Sequence, residues 1–188
     1  MNVLVLCGSR NHQGQTARAA GALIKGLESA GAQHQLVFLP EKTIERCRQC
    51  GENGWGTCRS EGLCCGQDDF AEVLEQIRAA DAVVLATPVY FSDLSESLRT
   101  LLERLRRIAF SDLGKQGIAG KPAMGICVAG GGGGGAPACA VQLEKFMNNC
   151  GMDVVDMVPA RRQNLEMKLE LLKRVGRWFA TAPRSKSA

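Results

Sequence analysis

The run Val3-Leu4-Val5-Leu6, followed after one residue by Gly8-Ser9-Arg10-Asn11-His12-Gln13-Gly14-Gln15-Thr16, decides how the rest of the chain is read. The four apolar residues form a short uninterrupted block, as a buried strand requires. Gly8 and Gly14 bracket a polar turn, and Ala17, Ala20, Leu23, Ile24 and Leu27 then recur at helical period. The order is strand, tight turn, helix. A helix start presents N–H groups without carbonyl partners at the positive end of the helix dipole. With hydroxyls at Ser9 and Thr16 and a charge at Arg10, the turn suits an anion, most naturally a phosphate. The plainer alternative is an ordinary strand-to-helix turn capped by polar residues.

The kind of phosphate can be narrowed. The nucleotide-hydrolase loop G-x-x-x-x-G-K-[ST] uses its lysine to reach the outer phosphates of a triphosphate. Here the interval from Gly8 to Gly14 is one residue longer, and Gln15 stands where that lysine would be. The dinucleotide fingerprint G-x-G-x-x-G is also missing. Hydroxyls, amides and one arginine suit a terminal monophosphate that stays bound.

Working outward, Gln35 to Leu39 reads as a second strand, and residues 40–67 then break the rhythm. That segment holds five cysteines, five glycines and Trp55 with no sustained period, and a loop of such length inside a compact domain is usually functional or disordered. Asp69 and Glu72 mark a helix start, with Phe70, Val73, Leu74 and Ile77 as its apolar stripe. Ala82 to Ala86 is an apolar strand, Thr87-Pro88-Val89-Tyr90-Phe91-Ser92-Asp93 a turn, and a helix follows from about Leu94. On that helix Arg99, Arg104, Arg106 and Arg107 fall largely off the leucine stripe, which predicts a solvated face. Ala123 to Ala129 is a fourth strand running into six glycines, Gly130 to Gly135, with Pro137 in the first turn of the next helix. Gly151 suits that helix's C-terminal cap, Val154 to Val158 forms a fifth strand, and a last helix carries Leu165, Leu169, Leu172 and Phe179. Five strands alternating with five helices predict an α/β domain over residues 1–182, with a parallel sheet, right-handed crossovers and a loose tail at 183–188.

Composition limits the function. The chain has 188 residues, a formal charge of +4 and few aromatics, so neither a basic stripe nor a stacking platform for nucleic acid is present. It enters its first strand without a charged and apolar leader and holds no apolar segment of spanning length, so a cytoplasmic protein without membrane partners is expected. In that compartment clustered cysteines point to metal or redox chemistry rather than to disulfides.

In a sheet of this type ligands sit beyond the carboxyl ends of the strands, where strand order reverses. Three loops open there: the phosphate turn, the Pro-Val-Tyr-Phe turn and the glycine run. Tyr90 and Phe91 are adjacent aromatics directly after Pro88 and suit the lining of a flat apolar ring, or else pack onto their own domain. Glycines let the backbone come close to a ligand. A phosphate at one end and a planar ring at the other describe FMN better than ATP or NAD.

These motifs together resemble the flavodoxin-like NAD(P)H-dependent FMN reductases, and among them the cysteine-containing iron–sulfur flavoproteins. The resemblance rests on GSRNHQGQT at 8–16, the cysteine stretch from Cys47 to Asp69, TPVYF at 87–91 and the glycine run from 130. It implies a flavodoxin-like three-layer α/β sandwich with a five-stranded parallel sheet in the order 2-1-3-4-5. It implies that Ser9, Arg10, Gln15 and Thr16 hold the FMN phosphate. Pro88, Val89, Tyr90 and Phe91 would flank the ring and ribityl chain, and Gly131, Gly132 and Gly133 would border the ring. It further implies electrons passed from NADH or NADPH to a quinone, a flavin or an electron-transfer protein, and a homodimer or homotetramer. A receiver domain on the same fold is disfavoured, because Cys7-Gly8 ends strand one without the acidic residues that hold Mg2+.

Cys47-x2-Cys50-x7-Cys58-x5-Cys64, with Cys65 adjacent, brings five thiols within nineteen positions. Four thiolates can hold a 4Fe–4S cluster or a tetrahedral zinc, and free or disulfide-forming thiols near a flavin are the remaining reading. The iron–sulfur motif of the resembled family places two residues between its second and third cysteines, where this chain has seven. Cys47, Cys50, Cys58 and Cys64 are the candidate metal ligands and Cys65 is a spare. Cys7, Cys127, Cys139 and Cys150 lie singly in predicted core elements and read as small buried residues. His34 falls at the start of a strand, and His12 reads as a solvated loop histidine within reach of the phosphate. No Ser-His-Asp arrangement or carboxylate pair is expected to act in catalysis.

Overall fold

The computed structural model describes residues 1–51 and 53–181, so the expected loose tail at 183–188 lies outside the described residues. In chain order the regular elements begin with β1 (Asn2–Cys7), α1 (Gln15–Ser29) and β2 (Gln33–Phe38). A short α2 (Thr57–Ser60), α3 (Phe70–Ala79), β3 (Ala82–Pro88) and α4 (Glu96–Ile108) follow. The chain continues through the one-turn α5 (Asp112–Lys115), β4 (Pro122–Ala129), α6 (Ala136–Asn149), β5 (Asp153–Arg161) and α7 (Leu165–Thr181). The five strands form one parallel sheet in the order β2-β1-β3-β4-β5, and the expected topology is confirmed.

The alternation of side chains along the strands sorts the core into two layers. Leu4, Leu6, Val83, Leu85 and Cys127 face α3, α4 and α6, whereas Val3, Val5, Val84, Ile126 and Val128 face α1 and α7. Both faces being covered, β1, β3 and β4 are almost wholly apolar, as parallel central strands must be. β2 is an edge strand, and its first four residues, Gln33 to Leu36, are exposed. β5 begins at Asp153, one residue before the expected Val154, and a bulge opposite the Ala123–Met124 step then shifts it past β4 by one residue.

Helix α1 lies against α7 at unusually close range. A side chain at Gly26 would meet the Lys173 carbonyl, and one at Gly176 the Leu23 carbonyl. The Arg18–Glu166 ion pair at 2.7 Å ties the starts of the same two helices together. Gly151 ends α6 as expected and Gly31 ends α1 in the same way, both in the left-handed region with φ +76°. Asp69 is the exception. It precedes α3 as expected but does not cap it, because its Oδ2 accepts from the Thr43 N–H at 2.7 Å and so fastens the cysteine loop instead.

Candidate functional site

The turn between β1 and α1 is built for an anion. Its N-cap residue Gly14 is extended, no side chain caps the helix, and the first turn holds no acidic residue. The leading N–H groups of α1 are therefore open toward the end of the sheet. Asn11 organises the approach: its Oδ1 accepts from the Gln13 N–H at 2.9 Å and its carbonyl from the Gly14 N–H at 3.0 Å. Ser9 and Thr16 carry buried hydroxyls, 7% and 3% exposed, at the mouth of this turn.

Beside it opens a pocket of about 870 Å³, mouth included, at the switch point where β1 and β3 diverge. Ser9, Gln15 and Thr16 line one end. Pro88, Val89 and Tyr90 line a second wall, and Val128 to Gly134 a third. In the order 2-1-3-4-5 this switch point is where flavodoxin-like folds seat FMN. The glycine run opens the third wall: added side chains at Gly131, Gly132 and Gly134 would meet nothing within 4 Å. At the phosphate end Gln15 Oε1 is buried with no hydrogen-bond partner among the described residues, a polar atom aimed where a ligand's hydroxyl or amide would satisfy it. Space, an uncapped helix start and an orphan acceptor all fit a bound phosphate-bearing ring.

The two aromatics separate. Val89 N–H donates to the Val128 carbonyl at 3.0 Å, and buried Thr87 Oγ1 accepts from the Ser95 N–H at 3.0 Å, which fixes the turn after β3. Tyr90 and Asp93 exchange backbone hydrogen bonds at 3.0 and 2.9 Å across Phe91 and Ser92, both at positive φ (49° and 66°). This is the geometry of a tight mirror-image turn, and it holds Phe91 fully out in solvent, off the pocket lining, while Tyr90 stays on it. Arg10 is likewise exposed and off the lining. His12 is pinned away from the pocket, stacked on Phe38 at 3.9 Å with its Nε2 2.5 Å from Glu41.

A second pocket lies along the C-terminal half of α4, and the cysteine loop makes it. Cys47, Cys50, Cys58, Cys64 and Cys65 all line it, together with Asp68, Arg104 and Arg107. All nine cysteines of the chain are free thiols. Cys50 and Cys65 sulfurs stand 3.3 Å apart, and the hydrogen bond they share holds Cys50 above the usual thiol pKa. Among the described residues no three His, Cys, Asp or Glu side chains stand close enough together to hold a single metal ion. The thiols ring the pocket rather than meet at a point. Cys7, Cys127, Cys139 and Cys150 are buried in the core as expected, and burial pushes Cys150 up to about 12.

The expected solvated arginine face is corrected here. Arg104 is 3% exposed, because the loop from Glu45 to Asp68 folds over that side of α4. Its Nη groups bond both Asp68 oxygens at 2.5 and 2.9 Å, the Glu45 carbonyl at 3.1 Å and the Cys64 sulfur at 3.2 Å, with the Phe70 ring 4.2 Å away. Asp68, itself 5% exposed, also accepts from the Glu45 and Phe70 N–H groups. Burial is the largest single influence and would raise this carboxyl, but the hydrogen bonds from Arg104 and from the Glu45 and Phe70 N–H groups, with the guanidinium charge, together outweigh it and hold its pKa below the usual value. Arg107 donates to the Gly54 carbonyl at 2.6 Å and lies over Trp55, while its Nε is buried without a partner among the described residues. Arg104 and Arg107 therefore form the floor of a pocket, while Arg99 and Arg106 lie off it and stay partly exposed. The available signal was position: Arg104 follows Leu101 by three and precedes Ile108 by four, on the flank of the buried stripe.

The sequence matches the NADPH-dependent FMN reductase family over residues 1–163. The chain belongs to that family. An iron–sulfur flavoprotein of Methanosarcina thermophila is 28% identical over 158 residues, covering 82% of this chain and 77% of the relative. One from Archaeoglobus fulgidus is 30% identical over 105 residues, covering 56% of this chain but only 46% of the relative, so this chain matches about half of that protein's length. Among solved structures, an NAD(P)H:quinone oxidoreductase of Methanothermobacter marburgensis superposes with a TM-score of 0.71 at 22% identity, covering 100% of this chain and 99% of the other. At that identity the likeness establishes the shared fold. No helix among the described residues is long and apolar enough to cross a membrane.

Proposed function

We propose that the chain is an FMN-dependent oxidoreductase passing electrons from NADH or NADPH to a quinone, a flavin or another small acceptor. The observation that carries this reading is the uncapped start of α1 opening, between buried Ser9 and Thr16, into the pocket at the β1/β3 switch point. The redox chemistry is the flavin's own, and the chain supplies its placement. Ser9, Gln15, Thr16 and the leading N–H groups of α1 hold the phosphate. Pro88, Val89 and Tyr90 support one side of the ring, and Gly131, Gly132 and Gly133 border its edge closely enough for backbone N–H groups to reach it. Arg10 supplies long-range attraction for the phosphate from outside the pocket. The test is reconstitution of flavin-free protein: FMN should bind far more tightly than riboflavin, and the loaded protein should oxidise NADH or NADPH when a quinone is present. Equal affinity for the two flavins would defeat the reading.

A second reading is favoured by the five thiols on one pocket: an iron–sulfur flavoprotein, as its relatives are named, with a 4Fe–4S cluster in the cysteine loop. The donor set fits. Five soft thiols are among the side chains lining the pocket, and Arg104 and Arg107 bring positive charge to offset that of four thiolates. Cys47, Cys50, Cys58 and Cys64 would hold the cluster, with Cys65 able to replace one of them. A lone zinc ion would need its thiolates gathered at about 2.3 Å around one point, which suits this open ring less well. Metal analysis of protein purified without air decides between iron with sulfide, zinc, and free thiols. The exposed Leu63, Tyr90, Phe91, Phe110 and Leu113 support assembly into a homodimer or homotetramer, and light scattering on FMN-loaded protein tests it.

A further inference from the structure

We propose that Arg104 is a positioning residue of the cysteine pocket and raises the reduction potential of the group held there, by donating from Nη2 to the Cys64 sulfur. The inference rests on the iron–sulfur reading of that pocket. An arginine whose sole task was to fasten the loop would be satisfied by Asp68 and the Glu45 carbonyl. Here the guanidinium fork is turned so that one Nη2 also reaches sulfur, at 3.2 Å. Its surroundings enforce that direction. The Phe70 ring supports one face at 4.2 Å, and Gly66 leaves the room that Nη2 occupies, since a side chain there would stand 2.6 Å from it. Any other residue at position 66 would push the fork off the sulfur.

The electrical consequence follows from where the charge sits. A guanidinium stays protonated under all working conditions. Nearly buried, it acts with little solvent screening on whatever charge the thiolates carry. Hydrogen bonds to sulfur and net local charge are among the factors that set the potential of a thiolate-held cluster. Adding an electron adds negative charge, which the Arg104 hydrogen bond favours and the Asp68 carboxylate opposes. The two members of one ion pair therefore push the potential in opposite directions. A role confined to scaffolding predicts the reverse, because breaking the pair from either side loosens the same loop.

The experiment uses the full chain, FMN-loaded and purified without air, with iron and sulfide analysis and a potentiometric titration followed by electron paramagnetic resonance. Arg104→Gln should make cluster reduction less favourable by about tenfold, equal to about 59 mV for a one-electron couple. Arg104→Lys, which keeps the charge but not the fork, should fall between it and the parent and carries the test if the glutamine variant does not fold. Asp68→Asn should shift the potential upward. The flavin potential should hold in all three. Wild-type protein without iron would overturn the cluster reading and this proposal together. Iron present, with Arg104 and Asp68 variants shifting in the same direction or not at all, would overturn the role of Arg104 alone. Loss of iron from every variant with flavin retained would reduce both residues to loop scaffolding and overturn it as well.

Discussion

The two pockets share no lining residue and are built in opposite ways. The flavin-type pocket is made from the ends of strands and the start of a helix, so its donors are backbone N–H groups and short side chains fixed by the regular hydrogen bonding around them. The cysteine pocket is made from a long excursion with one short helix, tied to the domain by the buried Arg104–Asp68 pair and by a few hydrogen bonds involving Arg104, Arg107 and Asp69. Between Glu96 and Arg104 the helix rises about 12 Å, so the thiols and the phosphate turn are separate stations on one chain. The first site depends on many weak constraints shared with the fold. The second depends on very few strong ones.

That contrast can be broken most directly at Asp68. Truncating it to alanine leaves the Arg104 charge buried and unpaired, which should cost about 3–5 kcal/mol of stability in urea unfolding. Replacing both partners together, as Arg104→Met with Asp68→Leu, should restore most of that loss; an equal loss in the double variant would mean that the pair is not the anchor. No single change at the flavin pocket should approach this figure. Thr16→Val removes one charge-assisted hydrogen bond to phosphate and should weaken FMN binding by about 1–3 kcal/mol, leaving riboflavin nearly indifferent. Titration of both flavins into the same variant checks it, and equal losses would place the phosphate elsewhere.

Acid sharpens the comparison further. The Asp68 carboxyl is held below its ordinary value of 3.8 in the folded state, so its contribution is present above that value and is lost as pH falls through the lowered one. Fluorescence of Trp55, which packs on Phe110 at 4.9 Å between ring centres, should therefore report loosening of the cysteine loop below about pH 4. In the Asp68→Asn protein this acid step should vanish, and a Trp178→Phe background removes the second indole. The smallest effect is expected at Phe91. It lies wholly in solvent, so Phe91→Ser should change stability by no more than about 0.5 kcal/mol and leave FMN affinity unchanged. A marked fall in FMN affinity would show that this turn closes over the ring.

How far each site could be read from the sequence follows the same division. The phosphate turn, the Pro88-Val89-Tyr90 wall and the glycine run were legible because each lies next to a strong periodic segment, and turn chemistry is local. Phe91 was misplaced relative to its neighbour because two consecutive residues at positive φ turn it outward, and no residue type at 91 or 92 announces that. Arg104 was illegible for a different reason. Its partners, Glu45, Cys64 and Asp68, are 36 to 59 positions away, and nothing in the leucine pattern of α4 marks one arginine as covered. Asp69 shows the same limit on a smaller scale: its position signals a cap, but its carboxylate serves Thr43.

The contact of Gly26 with Gly176 has a mechanical consequence. Helices that meet backbone to backbone have no side chains between them to yield, so α1 and α7 move as one beam. At its leading end α1 carries the open N–H groups of the turn proposed to hold phosphate, and there the Arg18–Glu166 pair links it to α7. The outer face of α7, where Met167, Leu171 and Trp178 stand exposed, thus sits behind a crossing at Gly26 and Gly176 that leaves no room for a side chain to yield.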